Sequence, residues 1–138
     1  MFRKLDKDTV ALADELGSTA AFGHLGRPQL EALAASGRLL RVPNEWAVLI
    51  ESQPADSAYF LLDGTADIRR QGDTLVSIGA GQLVGEAALV EHRTRNASVI
   101  TTSPVRVVRW AYDDLEALFD MHSDVAEVFA DQHRRRAS

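Results

Sequence analysis

Residues 84–99 contain side chains whose types and spacing suit the binding of a phosphate group. Gly85 lets the backbone approach a ligand without a Cβ in the way, and the apolar run at 87–90 is long enough for about one helical turn, whose first N–H groups would point outward. Unpaired N–H groups of this kind attract anions. Arg95 follows Gly85 by ten positions. If the chain turns back between them, the guanidinium can reach the same point and bind two phosphate oxygens.

Glu86 requires a different partner, because a carboxylate repels a phosphate. A neutral hydrogen-bond donor on the same ligand would satisfy it, and a ribose hydroxyl is such a donor. Glu86 and Arg95 together therefore predict a sugar phosphate held at two points. The alternative is a surface ion pair beside a hairpin, which would contribute roughly 0–1 kcal/mol and have no function.

The order of these residues resembles the phosphate-binding cassette of the cyclic nucleotide-binding domain family. This family includes bacterial catabolite activator proteins, the regulatory subunits of cyclic-AMP-dependent protein kinase and cyclic-nucleotide-gated channels. Its pattern is Gly-Glu, a small or apolar residue, Ala and Leu, followed after a short loop by Arg, a small residue, Ala, and Ser or Thr. The matching residues here are Gly85-Glu86-Ala87-Ala88-Leu89 and Arg95-Asn96-Ala97-Ser98. The resemblance extends over residues 22–129.

The resemblance implies that Glu86 and the Gly85 N–H bind the ribose 2′-hydroxyl, and that Arg95 and the Ala88 N–H bind the cyclic phosphate. The whole implied site comprises Val84, Gly85, Glu86, Ala87, Ala88, Arg95, Asn96 and Ala97. Asn96 stands where the family commonly has Ala, Ser or Thr, and its amide could meet either the phosphate or a purine edge. The ligand is therefore expected to be cAMP or cGMP, with cAMP favoured.

Two other departures from the family pattern lie outside the cassette. Asn44 and Ser52 stand where the family often has glycine. Asn tolerates left-handed backbone, so Asn44 is a mild change, whereas Ser52 fits such a position less easily.

Apolar residues at helical spacing occur near both ends of the chain. Residues 8–16 form a first predicted helix, capped by Asp6 or Asp8 and stopped by Gly17. A second predicted helix starts with Pro28 at its first position and ends at Gly37.

Between these flanks the apolar pattern becomes that of short strands. The predicted strands are 39–42, 46–50, 58–62, 65–69, 74–78, 97–102 and 105–110. Asp63-Gly64 predicts a two-residue type I′ hairpin. Many short strands at even intervals are typical of a barrel, sandwich or jelly roll. With the family resemblance, this pattern implies a mainly β, α+β fold: a double-stranded β-helix, or jelly-roll-like β-roll, flanked by N-terminal and C-terminal helices.

The C-terminal region returns to helical spacing. Asp113-Asp114 are expected to cap residues 115–119, and Ser123 is expected to cap residues 124–134. Val125, Val128 and Phe129 share one apolar stripe of the last helix. In the family, this helix covers the bound base or pairs two subunits. Phe129, Gln132 or His133 could therefore cap the purine, and plain packing of the stripe is the alternative.

Composition limits the classes of function. With 138 residues and 46% hydrophobic content the chain suits one domain, and its net charge of −5 disfavours a nucleic-acid or anionic-membrane surface. It has no cysteine, signal peptide or long apolar run, so a cytoplasmic location is expected. The four histidines, His24, His92, His122 and His133, form no His-x-His pair, which argues against a metal site. No catalytic motif is visible, so the chain is not expected to be an enzyme.

We therefore expect one domain over residues 1–138, with a helical flank at 6–37, a β-roll at 39–111 that includes the cassette at 84–99, and C-terminal helices at 113–134. Its expected role is that of a sensor that binds a cyclic nucleotide, needs no cofactor and signals through the C-terminal helices to an effector or a second copy. No DNA-binding module or membrane contact is expected. The alternative is a ligand-free fold that acts as a protein-interaction or dimerisation module through Val125, Val128 and Phe129.

Overall fold

Two antiparallel sheets of four strands each form the centre of the molecule. The computed structural model describes residues 6–87, 89 and 97–137. The strands are β1 (Arg38–Val42), β2 (Ala47–Leu49), β3 (Ser57–Asp63), β4 (Ala66–Arg70), β5 (Asp73–Ile78), β6 (Leu83–Val84), β7 (Ser98–Thr101) and β8 (Val105–Ala111). One sheet has the order β1-β8-β3-β6 and the other β2-β7-β4-β5.

The strand pairing shows how the chain winds. β1 pairs with β8, β2 with β7, β3 with β6 and β4 with β5, each antiparallel. The first half of the strand region therefore runs against the second half as one long hairpin that is coiled into two layers. This is a double-stranded β-helix, and the predicted fold class is confirmed.

The tip of this long hairpin differs from the one predicted. β3 and β4 belong to different sheets, so Asp63-Gly64 is a crossing between layers and the predicted hairpin there is wrong. The two-residue turn with positive φ at both positions is Gln71-Gly72, at +54° and +85°, between β4 and β5. Gly64 has φ +94°, and a Cβ there would lie 2.5 Å from the Pro104 carbonyl oxygen. The glycine at position 64 therefore allows the backbone to pass close to Pro104.

Left-handed backbone also occurs near the two positions where the family often has glycine. Ser52 has φ +67°, so it adopts the conformation for which glycine is favoured. Near Asn44 the left-handed residue is Glu45, at φ +59°, and the Asn44 side chain accepts a hydrogen bond from its N–H at 2.9 Å.

Four helices flank the sheets within the described residues: α1 (Lys7–Gly17), α2 (Arg27–Ser36), α3 (Tyr112–Met121) and α4 (Ser123–Ala137). Asp6 caps α1 as predicted, accepting from the Thr9 N–H at 2.7 Å. The expected cap of α3 is wrong. Ala111 occupies its N-cap position without a side-chain bond, and Asp113 and Asp114 lie in the first turn, where carboxylates suit the helix dipole. α4 begins one residue earlier than expected, since the His122 carbonyl accepts its first backbone bonds.

Two apolar clusters hold these layers together. The first lies inside the roll and includes Leu49, Leu61 and Val107. The second lies where the helices meet the sheet β1-β8-β3-β6, and it contains the largest fully buried side chain, Trp110, whose indole N–H donates to the Leu33 carbonyl at 2.9 Å. The helices are thus fixed to the outside of the β1-β8-β3-β6 sheet.

Candidate functional site

The predicted site begins where β6 ends. β6 is a two-residue strand that the sequence did not predict, and it pairs Val84 with Tyr59 of β3. Val84 is buried. Gly85 follows with φ +83°, a conformation that other residues adopt only at a cost. The chain therefore leaves the sheet at Gly85 by a sharp change of direction.

Glu86 is the only fully buried charged side chain among the described residues, with 0% of its surface exposed. Burial of a carboxylate is costly unless hydrogen bonds or opposite charges compensate for lost hydration. His133 of α4 lies beside it, with Nδ1 3.8 Å from the Glu86 Oε2 atom and 13% of the side chain exposed. The C-terminal helix thus covers the carboxylate that the sequence assigned to ligand binding.

The remaining cassette residues are only partly described. Ala87 and Ala97 are half-buried, and Ala97 directly precedes β7. Ala88, Arg95 and Asn96 lie outside the described residues. Of the cassette residues that the structure describes, Ala87 therefore lies three positions after β6, and Ala97 leads directly into β7.

The three predicted lid residues of α4 have different surroundings. Phe129 is 1% exposed, and its ring centroid lies 5.6 Å from that of Trp110 and 5.2 Å from that of Phe119. The packing alternative thus describes Phe129 in this structure. Gln132 lines a surface groove of about 490 Å³ whose lining does not include Glu86. Of the three, His133 is the one with a contact to Glu86.

The apolar stripe on α4 packs inside the chain. Val125, Val128 and Phe129 are all buried in the cluster between the helices and the sheet. A partner helix has no access to these side chains in this structure. The stripe therefore does not form the exposed surface that the dimerisation alternative requires.

Tyr112 is the contact that sequence reasoning missed. It is the first residue of α3, and its hydroxyl donates a hydrogen bond to the Gly85 carbonyl. Gly85 and Tyr112 are 27 positions apart in sequence, and no local motif links them. The contact depends on the long-range packing of β6 near the end of β8.

Other kinds of site are not seen in the part of the chain that the structure describes. No group of three or more His, Asp or Glu side chains there is arranged to hold a metal ion. Among the same residues, no helix combines the length and apolar character needed to cross a bilayer.

Comparison with known proteins gives a family match over most of the strand region. The family described as "Cyclic nucleotide-binding domain" matches residues 39–122. Among curated relatives, Glutaminase 2 of Bradyrhizobium diazoefficiens is 29% identical over 112 residues, which is 80% of this chain and 18% of the relative. The cAMP-dependent protein kinase type II regulatory subunit of Drosophila melanogaster is 38% identical over 74 residues, covering 51% of this chain and 19% of that protein. The chain thus spans less than a fifth of the length of these two relatives.

A solved structure gives a likeness in fold over nearly the whole chain. The regulatory domain of Toxoplasma gondii PKA, solved with cAMP, superposes with a TM-score of 0.80. The superposition covers 95% of this chain and 50% of that one, at 18% sequence identity. At this identity the likeness supports the fold alone.

Proposed function

We propose that the chain, which belongs to the cyclic nucleotide-binding domain family, binds a 3′,5′-cyclic nucleotide in the segment at 84–99 and acts as a non-catalytic sensor domain. The ligand we propose is cAMP in preference to cGMP. The relative with 38% identity is named as a cAMP-dependent kinase regulatory subunit, which favours this choice.

The observation that carries the proposal is the buried carboxylate of Glu86 directly after the left-handed Gly85. Glutamate side chains are rarely fully buried in proteins, so this position singles out Glu86 as a candidate for ligand binding. A ribose hydroxyl is neutral, so a buried carboxylate can accept a hydrogen bond from it without charge repulsion. We therefore assign the ribose contact to Glu86 and the Gly85 N–H.

The phosphate contact falls to the second half of the cassette. We assign it to Arg95 and the Ala88 N–H, with Val84, Ala87, Asn96 and Ala97 completing the site. A guanidinium can bind two phosphate oxygens through its planar fork, so Arg95 would supply the charge that Glu86 cannot.

The C-terminal helices would receive the signal. His133 already lies against Glu86, so a ligand that binds Glu86 must also meet the last turns of α4. We propose His133 and Gln132 as the residues that reach the base, while Phe129 anchors the helix from within the core. Ligand binding would then change the position of α4 to the extent that the ligand prefers one arrangement.

Calorimetric titration of the chain with cAMP and cGMP tests the proposal. We expect cAMP to bind more tightly, and Arg95→Ala to weaken binding by about 1.5–3 kcal/mol, or about 10- to 150-fold, because the buried phosphate loses a charged hydrogen-bond partner. Arg93→Ala is the matched control, since Arg93 carries the same charge two positions away in sequence but does not match the cassette pattern. Absence of binding at millimolar ligand, or equal losses in the two variants, would refute the proposed site.

A further inference from the structure

Tyr112 connects the start of the C-terminal helices with the backbone of the cassette. It is the first residue of α3, directly after β8. Its N–H donates to the Asp56 carbonyl at 2.8 Å, which fixes its backbone beside the start of β3. Its hydroxyl donates to the Gly85 carbonyl. The ring of Tyr112 therefore spans from a fixed point of the scaffold to the residue that precedes Glu86.

The carbonyl that accepts this bond belongs to the peptide joining Gly85 and Glu86. The ladder between β3 and β6 ends at Val84, so this carbonyl lies beyond the sheet. The φ of Gly85 is +83°, and glycine gives the backbone little steric restraint at this point. A side-chain bond to the carbonyl restricts rotation of the peptide plane that the glycine would otherwise allow.

The orientation of this peptide affects Glu86 directly. The described peptide bonds are all trans, and a trans peptide points its C=O and N–H in opposite directions. Holding the Gly85 carbonyl toward Tyr112 therefore fixes the direction of the Glu86 N–H and of the Cα from which the carboxylate projects. A buried group that binds a ligand through one hydrogen bond must be held within a fraction of an ångström by its neighbours.

We infer that Tyr112 is a positioning residue for the ribose contact. Its hydroxyl holds the peptide between Gly85 and Glu86 so that the Glu86 carboxylate meets the 2′-hydroxyl of the ligand. This inference rests on the proposed binding of a cyclic nucleotide, and it adds a residue that lies outside the cassette and makes no ligand contact of its own.

The test combines one variant with two ligands. Tyr112→Phe removes the hydroxyl and keeps the ring, and calorimetry measures the affinities of wild type and variant for cAMP and for 2′-deoxy-cAMP. We expect the variant to bind cAMP about 3- to 10-fold more weakly and 2′-deoxy-cAMP less than about twofold more weakly, because only cAMP carries the hydroxyl that Glu86 accepts. A thermal denaturation midpoint for each protein establishes that both are folded at the titration temperature.

The outcomes separate this inference from the proposed function. If wild type binds cAMP and the variant loses the same factor for both ligands, or no affinity for either, Tyr112 supports only the fold and the inference is wrong. If wild type does not distinguish the two ligands, Glu86 does not bind the 2′-hydroxyl and the inference is also wrong. If wild type binds no cyclic nucleotide, the proposed function fails first and the inference fails with it.

Discussion

Gly64 shows how one residue can serve a purpose different from the one its sequence context predicts. It lies where the chain leaves β3 and crosses to the other sheet, with φ +94°. A Cβ there would lie 2.5 Å from both the Pro104 carbonyl oxygen and the Val105 Cγ1 atom. Gly72 has a similar φ of +85°, but a Cβ there would have no neighbour within 4 Å. A substitution at Gly72 therefore tests the cost of left-handed backbone alone, whereas one at Gly64 adds a steric clash.

We expect Gly64→Ala to lower the free energy of unfolding by about 2–4 kcal/mol, since it adds a steric clash to the cost of left-handed backbone. Gly72→Ala is the matched control and should cost about 1–2 kcal/mol, because only the backbone term applies. Urea denaturation followed by tryptophan fluorescence measures both values. Equal losses would mean that the loop at Pro104 yields without cost.

Local residue type predicted part of the candidate site and missed the rest for a physical reason. Glu86 and its glycine neighbour could be found because their pattern is contiguous in sequence. Tyr112 could not be found, because its partner is brought to it by the pairing of β3 with both β6 and β8. The approach of His133 to Glu86 likewise depends on where the helices pack, although the family resemblance had pointed to that helix.

At the level of elements, Arg106 fixes α1 to the sheet. This β8 side chain donates to the Glu15 carboxylate of α1 at 2.6 and 3.2 Å and to Asp63 of β3 at 2.7 Å. The hydrogen bonds that Arg106 donates to Glu15, and then to Asp63, raise the pKa of Arg106 above its ordinary value. A raised pKa adds stability that is fully present below the ordinary pKa of arginine and is lost only as pH rises through the raised pKa of the folded state. The arginine therefore stays charged, and its own titration makes no contribution to acid unfolding.

We expect Glu15→Gln to lower the free energy of unfolding by about 0.5–1 kcal/mol, the upper part of the range for partly exposed pairs, because the bond is bidentate. The loss should shrink at 1 M salt, where screening is strong. Asp14→Asn on the same helix is the control. Its partner Arg27 and Asp14 itself are 45% and 64% exposed, against 29% and 36% for Arg106 and Glu15, so its effect should be smaller. Chemical denaturation at low and high salt provides the comparison, and a larger effect for Asp14 would contradict this account.

The elements themselves followed from local sequence better than their connections did. Asp6, one of the two predicted N-caps, caps the first helix, since a cap acts over three or four residues. Gly17, which was predicted to stop this helix, is instead its last residue, and Ser18 occupies the C-cap position. The predicted cap of α3 was wrong because the Tyr112 N–H donates to the Asp56 carbonyl beside the start of β3. This tertiary contact allows the helix to begin before Asp113 and Asp114. Strand β6 was missed because two residues are too few for a periodic pattern.

At the scale of the whole molecule, the nested pairing brings distant segments of the chain to one place. Periodicity predicted most strands, but it carries no information about partners, and the pairs of β1 with β8 and β2 with β7 join the ends of the strand region. The roll thereby sets β8, and hence α3 and α4, beside the segment that follows β6. Two described contacts therefore join this segment to the C-terminal helices. Tyr112 of α3 donates to the Gly85 carbonyl, and His133 of α4 lies against Glu86.

Hydrogen exchange with and without saturating cAMP tests whether this arrangement transmits a signal. A ligand held between Glu86 and the last turns of α4 adds contacts to that helix, so we expect amides there to exchange several-fold more slowly when cAMP is bound. α1 (Lys7–Gly17) is the internal control, since it packs mainly on α2 and should not change. Unchanged exchange in α4 at saturation would mean that binding stays within the roll. Faster exchange would mean that the ligand displaces His133 and that α4 opens upon binding, which would contradict a lid formed by Gln132 and His133.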